Sequence, residues 1–232
     1  MSQWVAHDAY VEVLASGAVR AQLIDLPGCF AVGNDIEASV AALEGRIPAY
    51  YDWLRAHDEY TPTVAGPFHV EIKETQYITG RFPYLDDAFF APDAAPVTGE
   101  DLDWLLALLE WSLDDLSELG QRISPDRRDA PTRVGPPPNR LLRQAAEAQA
   151  RYLVLLNAQP DLSAVKLKDA PPLEQVREVR DVSLRRLRTT SDEDRRCVFE
   201  IQGQRWSLRK ILRCGILSAR MYAEPLAADA SA

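Results

Sequence analysis

Leucine recurs every three or four residues between positions 102 and 119, and this spacing constrains the fold more than any other feature of the chain. On an α-helix these leucines form one apolar face that must be buried against a partner. Three later stretches, 139–157, 173–187 and 206–226, also place apolar residues on one helical face. Four such helices bury their faces most simply against one another, so the sequence predicts an all-α four-helix bundle over residues 98–226.

The first third of the chain, residues 1–90, follows a different pattern. Short runs rich in valine and leucine alternate with turn signals such as Ser16-Gly17, which is typical of strands joined by hairpins. Asp35 precedes a run of apolar residues at helical spacing and is a candidate N-cap. The predicted elements are, in order, strands at 10–14, 19–24 and 29–32, a helix from Asp35 to Leu54, and a strand at 68–78.

These two patterns predict an α+β protein with a small βββαβ domain at 1–90 and a helical domain at 98–226. A stretch rich in proline and alanine, 91–97, is predicted to be a linker. Residues 227–232 are predicted to be a flexible tail. Thr98 is the candidate N-cap of the first bundle helix, with Asp101 three residues later. Ser207 is the candidate N-cap of the last bundle helix.

Charge is unevenly distributed along the chain, whose net charge is -9. Residues 1–138 contain 9 basic and 23 acidic side chains, whereas residues 139–224 contain 17 and 11. The acidic total disfavours general nucleic-acid binding, because a nucleic-acid duplex repels an acidic surface. Two interpretations of the asymmetry stay open: the acidic and basic parts pair or are solvated, or the basic part receives an anionic ligand or partner.

Cysteine usage and hydropathy indicate a cytoplasmic protein. Cys29, Cys197 and Cys214 are far apart and lack CxxC spacing, so neither a disulfide framework nor a zinc knuckle is predicted. The first residues lack the basic and apolar segments of a secretory leader, and no apolar run reaches about 18 residues. We therefore expect neither secretion nor membrane insertion.

The N-terminal domain resembles the HicB family of antitoxins from toxin–antitoxin pairs. The residues that carry the resemblance are Asp25-Leu26-Pro27-Gly28-Cys29-Phe30-Ala31-Val32-Gly33, then Asp35-Ile36-Glu37-Ala38-Ser39, and Tyr50-Tyr51-Asp52-Trp53-Leu54. They cover about residues 10–58. The resemblance implies a small α/β module, and it implies a protein partner bound through this domain by strand or groove contacts.

The C-terminal domain is similar to the DinB-like superfamily of damage-inducible bundle proteins and thiol-dependent isomerases and transferases. The resemblance covers about residues 98–226 and is carried by Arg140–Leu153, by Trp206-Ser207-Leu208-Arg209-Lys210-Ile211-Leu212-Arg213, and by Ser218-Ala219-Arg220-Met221-Tyr222. Members bind a divalent metal through one histidine on the second helix and an HxxxH pair on the last helix. Both resemblances imply a homodimer.

The expected metal ligands are absent from this chain. Gln144, Ser218 and Tyr222 occupy the positions where the family has histidines, and the three histidines of the chain, His7, His57 and His69, all precede the bundle. An amide and two hydroxyls of high pKa bind a borderline divalent metal poorly, so no metal and no cofactor are predicted. We expect a buried hydrogen-bonded set or a small polar pocket at these three residues. Glu147 and Cys214 are candidate neighbours.

Three functions follow from these observations. The first is a non-catalytic binding or interaction protein whose degenerate bundle pocket holds a small organic ligand or nothing. The second is a transferase or isomerase that is metal-independent or uses a thiol cofactor, with Tyr222 or Cys214 acting near an anionic cofactor held by basic helices. The third is a regulator of the HicB type that binds a small toxin-like protein partner.

Overall fold

The structure is a computed structural model and describes residues 5–59, 68–78, 88–156 and 170–230. The chain divides into two compact units, residues 1–92 and residues 93–232. The first contains a mixed sheet with one helix and the second is mainly helical, which confirms the predicted α+β class.

The first unit is a four-stranded sheet with the predicted βββαβ order. Its elements are β1 (Val5–Val13), β2 (Val19–Leu23), β3 (Phe30–Gly33), α1 (Ile36–Ala56) and β4 (Phe68–Tyr77). The strand order is β3-β2-β1-β4, in which β2 pairs antiparallel with both neighbours. Because the chain crosses the sheet through α1 before β4 begins, β4 lies parallel to β1 at the opposite edge.

Helix α1 covers one face of this sheet. The Asp35 carboxylate accepts a hydrogen bond from the Ala38 N–H at 2.7 Å, which confirms it as the N-cap, and the helix continues through Pro48. The buried side of α1 includes Leu43 and Ile47 and packs on all four strands. The apolar side chains on the inner side of α1 and those on the facing side of the strands are buried together, and they form the core of the unit.

The second face of the sheet carries polar side chains and is contacted by residues 88–90. The Glu12 carboxylate on β1 pairs with Arg20 on β2, and both side chains are buried. Glu12 also accepts a hydrogen bond from the Ala88 N–H at 3.0 Å. The Phe90 ring lies 5.2 Å from the Tyr10 ring. A buried carboxylate is therefore matched by a guanidinium and a backbone donor.

The second unit is a bundle of four long helices with a short helix and a hairpin. Its elements are α2 (Gly99–Arg122), α3 (Pro138–Leu155), α4 (Pro172–Arg188), α5 (Asp192–Arg196), β5 (Val198–Ile201), β6 (Gln204–Ser207) and α6 (Leu208–Ala230). Helices α2 and α3 each pack against both α4 and α6, so the four helices form a ring around one core. No helix within the described ranges is long and apolar enough to cross a membrane.

The hairpin of β5 and β6 is a feature that the helical interpretation of this region missed. Gln202 and Gly203 have φ values of 54° and 79° and join the strands as a two-residue turn. Positive φ at both central positions suits the twist of a tight hairpin. The signal was present in the sequence as the short β-prone run 198–201 followed by a glycine.

The end of the chain also differs from the prediction. Residues 227–230, predicted to begin a flexible tail, continue α6. Asp229 is buried and accepts a hydrogen bond from Arg127 at 3.0 Å. This ion pair ties the last turn of α6 to the loop between α2 and α3. The remaining tail positions, 231–232, lie outside the described residues.

Residues 93–97, which the sequence predicts as part of a linker, are held by the start of α6. The buried Asp93 carboxylate forms a bidentate pair with Arg213, at 3.0 Å from Nε and 2.7 Å from Nη2. The Ser207 hydroxyl donates to the Asp93 carbonyl at 2.6 Å. Arg209 donates to the Pro96 carbonyl at 2.7 Å. Composition alone indicates a linker here because it does not reveal partners that lie 113 to 120 residues away in the chain.

Arg209 also contributes to the N-terminal cap of α2. Thr98 and Asp101 form a reciprocal capping box, as predicted. Asp101 also accepts a hydrogen bond from Arg209 at 2.6 Å. Burial by itself would raise the pKa of Asp101, but the hydrogen bonds from Thr98 and Arg209 outweigh it and lower that pKa.

We predict that the Asp93–Arg213 pair is essential for the stability of the helical unit. Asp93→Ala leaves the Arg213 guanidinium buried without its carboxylate and should lower the free energy of unfolding by about 3–5 kcal/mol. Glu118→Ala, which breaks the exposed Glu118–Arg122 pair, is the matched control and should lower it by less than about 1 kcal/mol. Urea unfolding followed by tryptophan fluorescence measures both, and equal effects would contradict the prediction.

Candidate functional site

The predicted site residues lie on α3 and α6, two helices that pack directly against each other. Helix α3 begins at Pro138, where the fixed φ of proline suits the first helical turn. Helix α6 begins after Ser207, whose hydroxyl accepts a hydrogen bond from the Lys210 N–H at 3.1 Å. This confirms Ser207 as the predicted N-cap. The two helix starts set which residues of α3 and α6 meet.

A glutamine that the sequence analysis did not single out joins the two helices. Gln149 on α3 is 3% exposed, and its Nε2 donates to the Gly215 carbonyl on α6 at 2.7 Å. The same nitrogen lies 3.2 Å from the Ser218 hydroxyl oxygen, which in turn donates to the Gly215 carbonyl at 3.1 Å. The Gln149 amide, the Ser218 hydroxyl and the Gly215 carbonyl form a closed set, which we call the Gln149 knot.

Gly215 permits this close approach of the two helices. A Cβ atom at position 215 would lie 3.1 Å from Gln149 Oε1 and 3.4 Å from Leu109 Cδ1. The first distance is shorter than an ordinary carbon–oxygen contact, so a larger residue would push the amide away. The glycine is therefore part of the knot through its missing side chain as well as through its carbonyl.

The structure brings Ser218 to Gln149 and not to Gln144. Both glutamines are on α3, but five residues rotate the helix by about 140°, so the two side chains leave it in different directions. Gln144, Ser218 and Tyr222 are all half-buried. Gln149 follows Ala145 by four residues and precedes Tyr152 by three, so its place on the apolar stripe was a signal available in the sequence.

The two candidate neighbours have different surroundings. Glu147 is exposed and is two positions from Gln149, so it projects from nearly the opposite side of α3. Cys214 is buried beside Gly215 and forms no disulfide. An exposed carboxylate and a buried thiol in these places do not complete an acid–base pair with the knot.

The chemistry of the knot is that of neutral hydrogen bonding. An amide N–H donor, a hydroxyl and a backbone carbonyl satisfy one another across the α3–α6 contact. None of these groups changes charge near neutral pH. No group of three or more histidine, cysteine, aspartate or glutamate side chains is placed to hold a metal ion in the part of the chain that the structure describes.

Arginines of α4 pair with carboxylates of α2 at partly exposed positions of the bundle. Arg180 donates to Glu110 at 2.7 Å and to Asp114 at 2.9 Å, and Arg188 donates to Glu110 at 3.2 Å. The hydrogen bond to Asp114 is the main reason that the pKa of Arg180 is raised. Helix α2 belongs to the acidic part of the sequence and α4 to the basic part. Part of the charge asymmetry is thus matched between neighbouring helices.

The first unit contains a separate polar cluster around the buried His7, whose carboxylate member, Asp25, is exposed. Its Nδ1 lies 2.7 Å from the Asp25 carboxylate and its Nε2 lies 3.4 Å from the Tyr51 hydroxyl. Burial, and then the nearby Asp25 charge, raise the pKa of Tyr51, which disfavours a phenolate. The cluster joins β1, the segment after β2 and α1. No spacing pattern in the sequence indicates this cluster, because Asp25 and Tyr51 are 18 and 44 residues away from His7 in the chain.

We predict that Gln149 stabilises the bundle and that Gln144 does not. Gln149→Ala removes the amide from the Gly215 carbonyl and the Ser218 hydroxyl, and should lower the free energy of unfolding by about 1–3 kcal/mol. Gln144→Ala is the matched control on the same helix and should change it by less than about 0.5 kcal/mol. Urea titration of both variants measures the difference, and a larger loss for Gln144→Ala would refute this assignment.

Comparison of the chain with protein-family models, with curated proteins and with solved structures found no match in any of the three. The resemblances to the HicB family and the DinB-like superfamily therefore depend on the residues quoted above.

Proposed function

We propose that this chain is a cytoplasmic, non-catalytic binding or interaction protein with a bundle of the DinB-like type that has lost its metal site. The Gln149 knot is the observation that carries the proposal. At the contact where the family would hold an open three-histidine site, this chain has an amide, a hydroxyl and a carbonyl bonded to one another. Groups that already satisfy each other offer little to a metal or a reacting substrate.

The chemistry of the replacements supports a binding role. A catalytic zinc needs three protein ligands of the imidazole, thiolate or carboxylate type and an open fourth position. The knot contains none of these ligand types. General acid–base catalysis needs a group whose pKa lies near the working pH, and a neutral amide and an aliphatic hydroxyl do not provide one.

A small organic ligand in the bundle would meet the edge of the knot. Ser218 and Tyr222 are half-buried and lie one helical turn apart on α6, so their hydroxyls could be reached from one side. Gln149, which contacts the Ser218 hydroxyl, is almost fully buried. A ligand with hydrogen-bonding groups and an apolar body suits such a surface.

The proposal predicts that a metal site can be rebuilt around position 149. The triple variant Gln149→His, Ser218→His and Tyr222→His places three imidazoles at the α3–α6 contact and should bind Zn²⁺ in isothermal titration. The matched triple variant with Gln144→His in place of Gln149→His should bind at least about tenfold more weakly, because position 144 projects in another direction.

The unchanged protein provides the control. Metal analysis of the purified chain should find no stoichiometric zinc or nickel. One equivalent of either metal in the unchanged chain would overturn the proposal. Tighter Zn²⁺ binding by the Gln144→His set than by the Gln149→His set would show that the vacated site lies elsewhere.

The transferase or isomerase alternative has less support from the site. Cys214 is buried, and the knot itself contains no group that titrates near neutral pH. Several of the basic side chains that could hold an anionic cofactor, including Arg180, Arg188 and Arg209, bind carboxylates within the bundle. A thermal-shift response to a small thiol would favour this alternative over a binding protein.

A second candidate function, binding of a protein partner by the first unit, is favoured by the difference between the two edges of its sheet. At the β4 edge the Val70 N–H donates to the Glu44 carboxylate at 3.1 Å, and the β1–β4 register shifts after Ile72. A side-chain acceptor and a bulge both hinder addition of another strand. At the β3 edge, Val32 is 50% exposed. We therefore propose that an extended segment of a partner adds to the sheet at the β3 edge. The homodimer that both resemblances imply is also part of the proposal.

Two matched variants distinguish the edges. Val32→Lys places a charge on the β3 edge, and Ile72→Lys makes the same change at a similarly exposed residue of β4. A small protein that copurifies with the tagged full chain should be lost with Val32→Lys and retained with Ile72→Lys. Equal retention by both variants would exclude the β3 edge.

A further inference from the structure

The outer edge of β3 presents backbone hydrogen-bonding groups that the sheet does not use. The Leu23 N–H of β2 donates to the Cys29 carbonyl at 3.0 Å, and the pairing continues in the same register along β3. Because the direction of the backbone groups alternates along a strand, Ala31 bonds to β2, whereas Phe30 and Val32 direct their N–H and C=O groups away from the sheet. Among the described residues, no strand lies beyond β3 on this side.

The β3 edge also lacks the features that normally protect a sheet edge from pairing. The strand Phe30–Gly33 contains no charged residue and no proline, and it pairs with β2 in one continuous register. The β4 edge, by contrast, has the Glu44 carboxylate on a backbone N–H and a bulge in its pairing with β1. Protection of one edge and not of the other indicates that β3 pairs with a further strand.

The outward groups of β3 are arranged symmetrically about Ala31. Phe30 and Val32 flank this residue, and each directs one donor and one acceptor outward. Two copies of β3 related by a two-fold axis at Ala31 would place Phe30 of each copy opposite Val32 of the other. Each of these pairs exchanges two hydrogen bonds, so all eight outward groups are used. The two Ala31 residues meet at the axis, where strands approach most closely and a small side chain fits.

The side chains suit the same arrangement. A Cβ atom at Gly33 would lie 2.7 Å from Ser39 Oγ on α1, so Phe30 and Val32, at alternate positions, point to the opposite face of the sheet. On that face Val32, which is 50% exposed, would lie beside Phe30 of the second copy. An aromatic ring opposite a β-branched side chain is a favourable cross-strand pair.

Charge favours the antiparallel direction of this pairing. Asp35 follows β3 and is exposed. In the antiparallel arrangement the two Asp35 residues are separated by about eight strand positions, or roughly 27 Å, which exceeds the screening length of about 8 Å at physiological salt. A parallel arrangement of the two strands would place them side by side, where like charges repel.

We propose that the β3 edge is occupied by a second copy of this chain, through antiparallel pairing of the two β3 strands about Ala31. The two four-stranded sheets then form one continuous sheet across the two-fold axis. This inference rests on the β3-edge proposal above and names the segment that adds there. Four hydrogen bonds and two side-chain pairs form a small interface, so the dissociation constant should be on the order of 10–100 µM.

Cross-linking of the full chain tests where the two copies meet. Cys197, which is exposed, is first replaced by serine so that the remaining native cysteines are buried. The two copies of position 32 are diagonal neighbours about 7–8 Å apart in the proposed pairing, so a bismaleimide of that span should join two Val32→Cys chains. Ile72→Cys, at a similarly exposed residue of β4, is the matched control and should give at most about a tenth of the product. Equal products from both variants would overturn the proposal.

Sedimentation equilibrium tests the affinity. The unchanged chain should pass from monomer to dimer between about 5 and 500 µM. Val32→Lys places two ammonium groups across the axis and should raise the dissociation constant at least about tenfold, whereas Ile72→Lys should leave it unchanged. A monomer at every concentration would overturn the inference. If such a monomer still lost a copurifying small protein with Val32→Lys, the β3-edge proposal would stand and only the second copy would be refuted as its occupant.

Amide hydrogen exchange of the unchanged ¹⁵N-labelled chain tests the register without any variant. Exchange at Phe30 and Val32 should slow as the protein concentration rises, because their N–H groups become bonded in the dimer. Exchange at Ala31 should change less, because its N–H already bonds to β2. Rates at Phe30 and Val32 that do not depend on concentration would overturn the proposal.

Discussion

The helical unit depends on the buried ion pair between Asp93 and Arg213. Two charges removed from water are tolerable only when each satisfies the other with good geometry, and the bidentate contact provides that geometry. The pair fixes residues 93–97 against the first turns of α6. Since α6 packs on both α2 and α3, the position of its start determines which of its residues face the neighbouring helices.

That placement determines the chemistry at the contact between α3 and α6. Gly215 and Ser218 lie two to three turns after the start of α6 and meet Gln149, so the amide is used in holding the helices together. An open metal site needs the opposite condition, in which ligands on both helices leave a position free for a substrate. The close approach that Gly215 allows and the lack of histidines on both helices are the two observations that support the proposal of a binding or interaction protein.

Ion pairs also hold neighbouring helices of the bundle together. The excess of acidic residues early in the chain and of basic residues later suggests an electrostatic partner when the sequence is considered alone. Within the bundle, the α2 carboxylates Glu110 and Asp114 bind the α4 guanidinium of Arg180. These partly exposed pairs contribute modestly to stability, but they fix the side-by-side arrangement of two helices.

The sequence by itself determined the α+β class, the βββαβ order and the four long helices, because hydrophobic periodicity and cap residues such as Asp35, Thr98 and Ser207 act over a few positions. It also indicated that the expected metal ligands are missing. It did not determine that Gln149 rather than Gln144 meets Ser218, that residues 93–97 are anchored, or that His7, Asp25 and Tyr51 form a cluster. Those outcomes were decided only by the tertiary structure, because they depend on the rotation and separation of elements that are distant in the chain, and local periodicity carries no information about these two quantities.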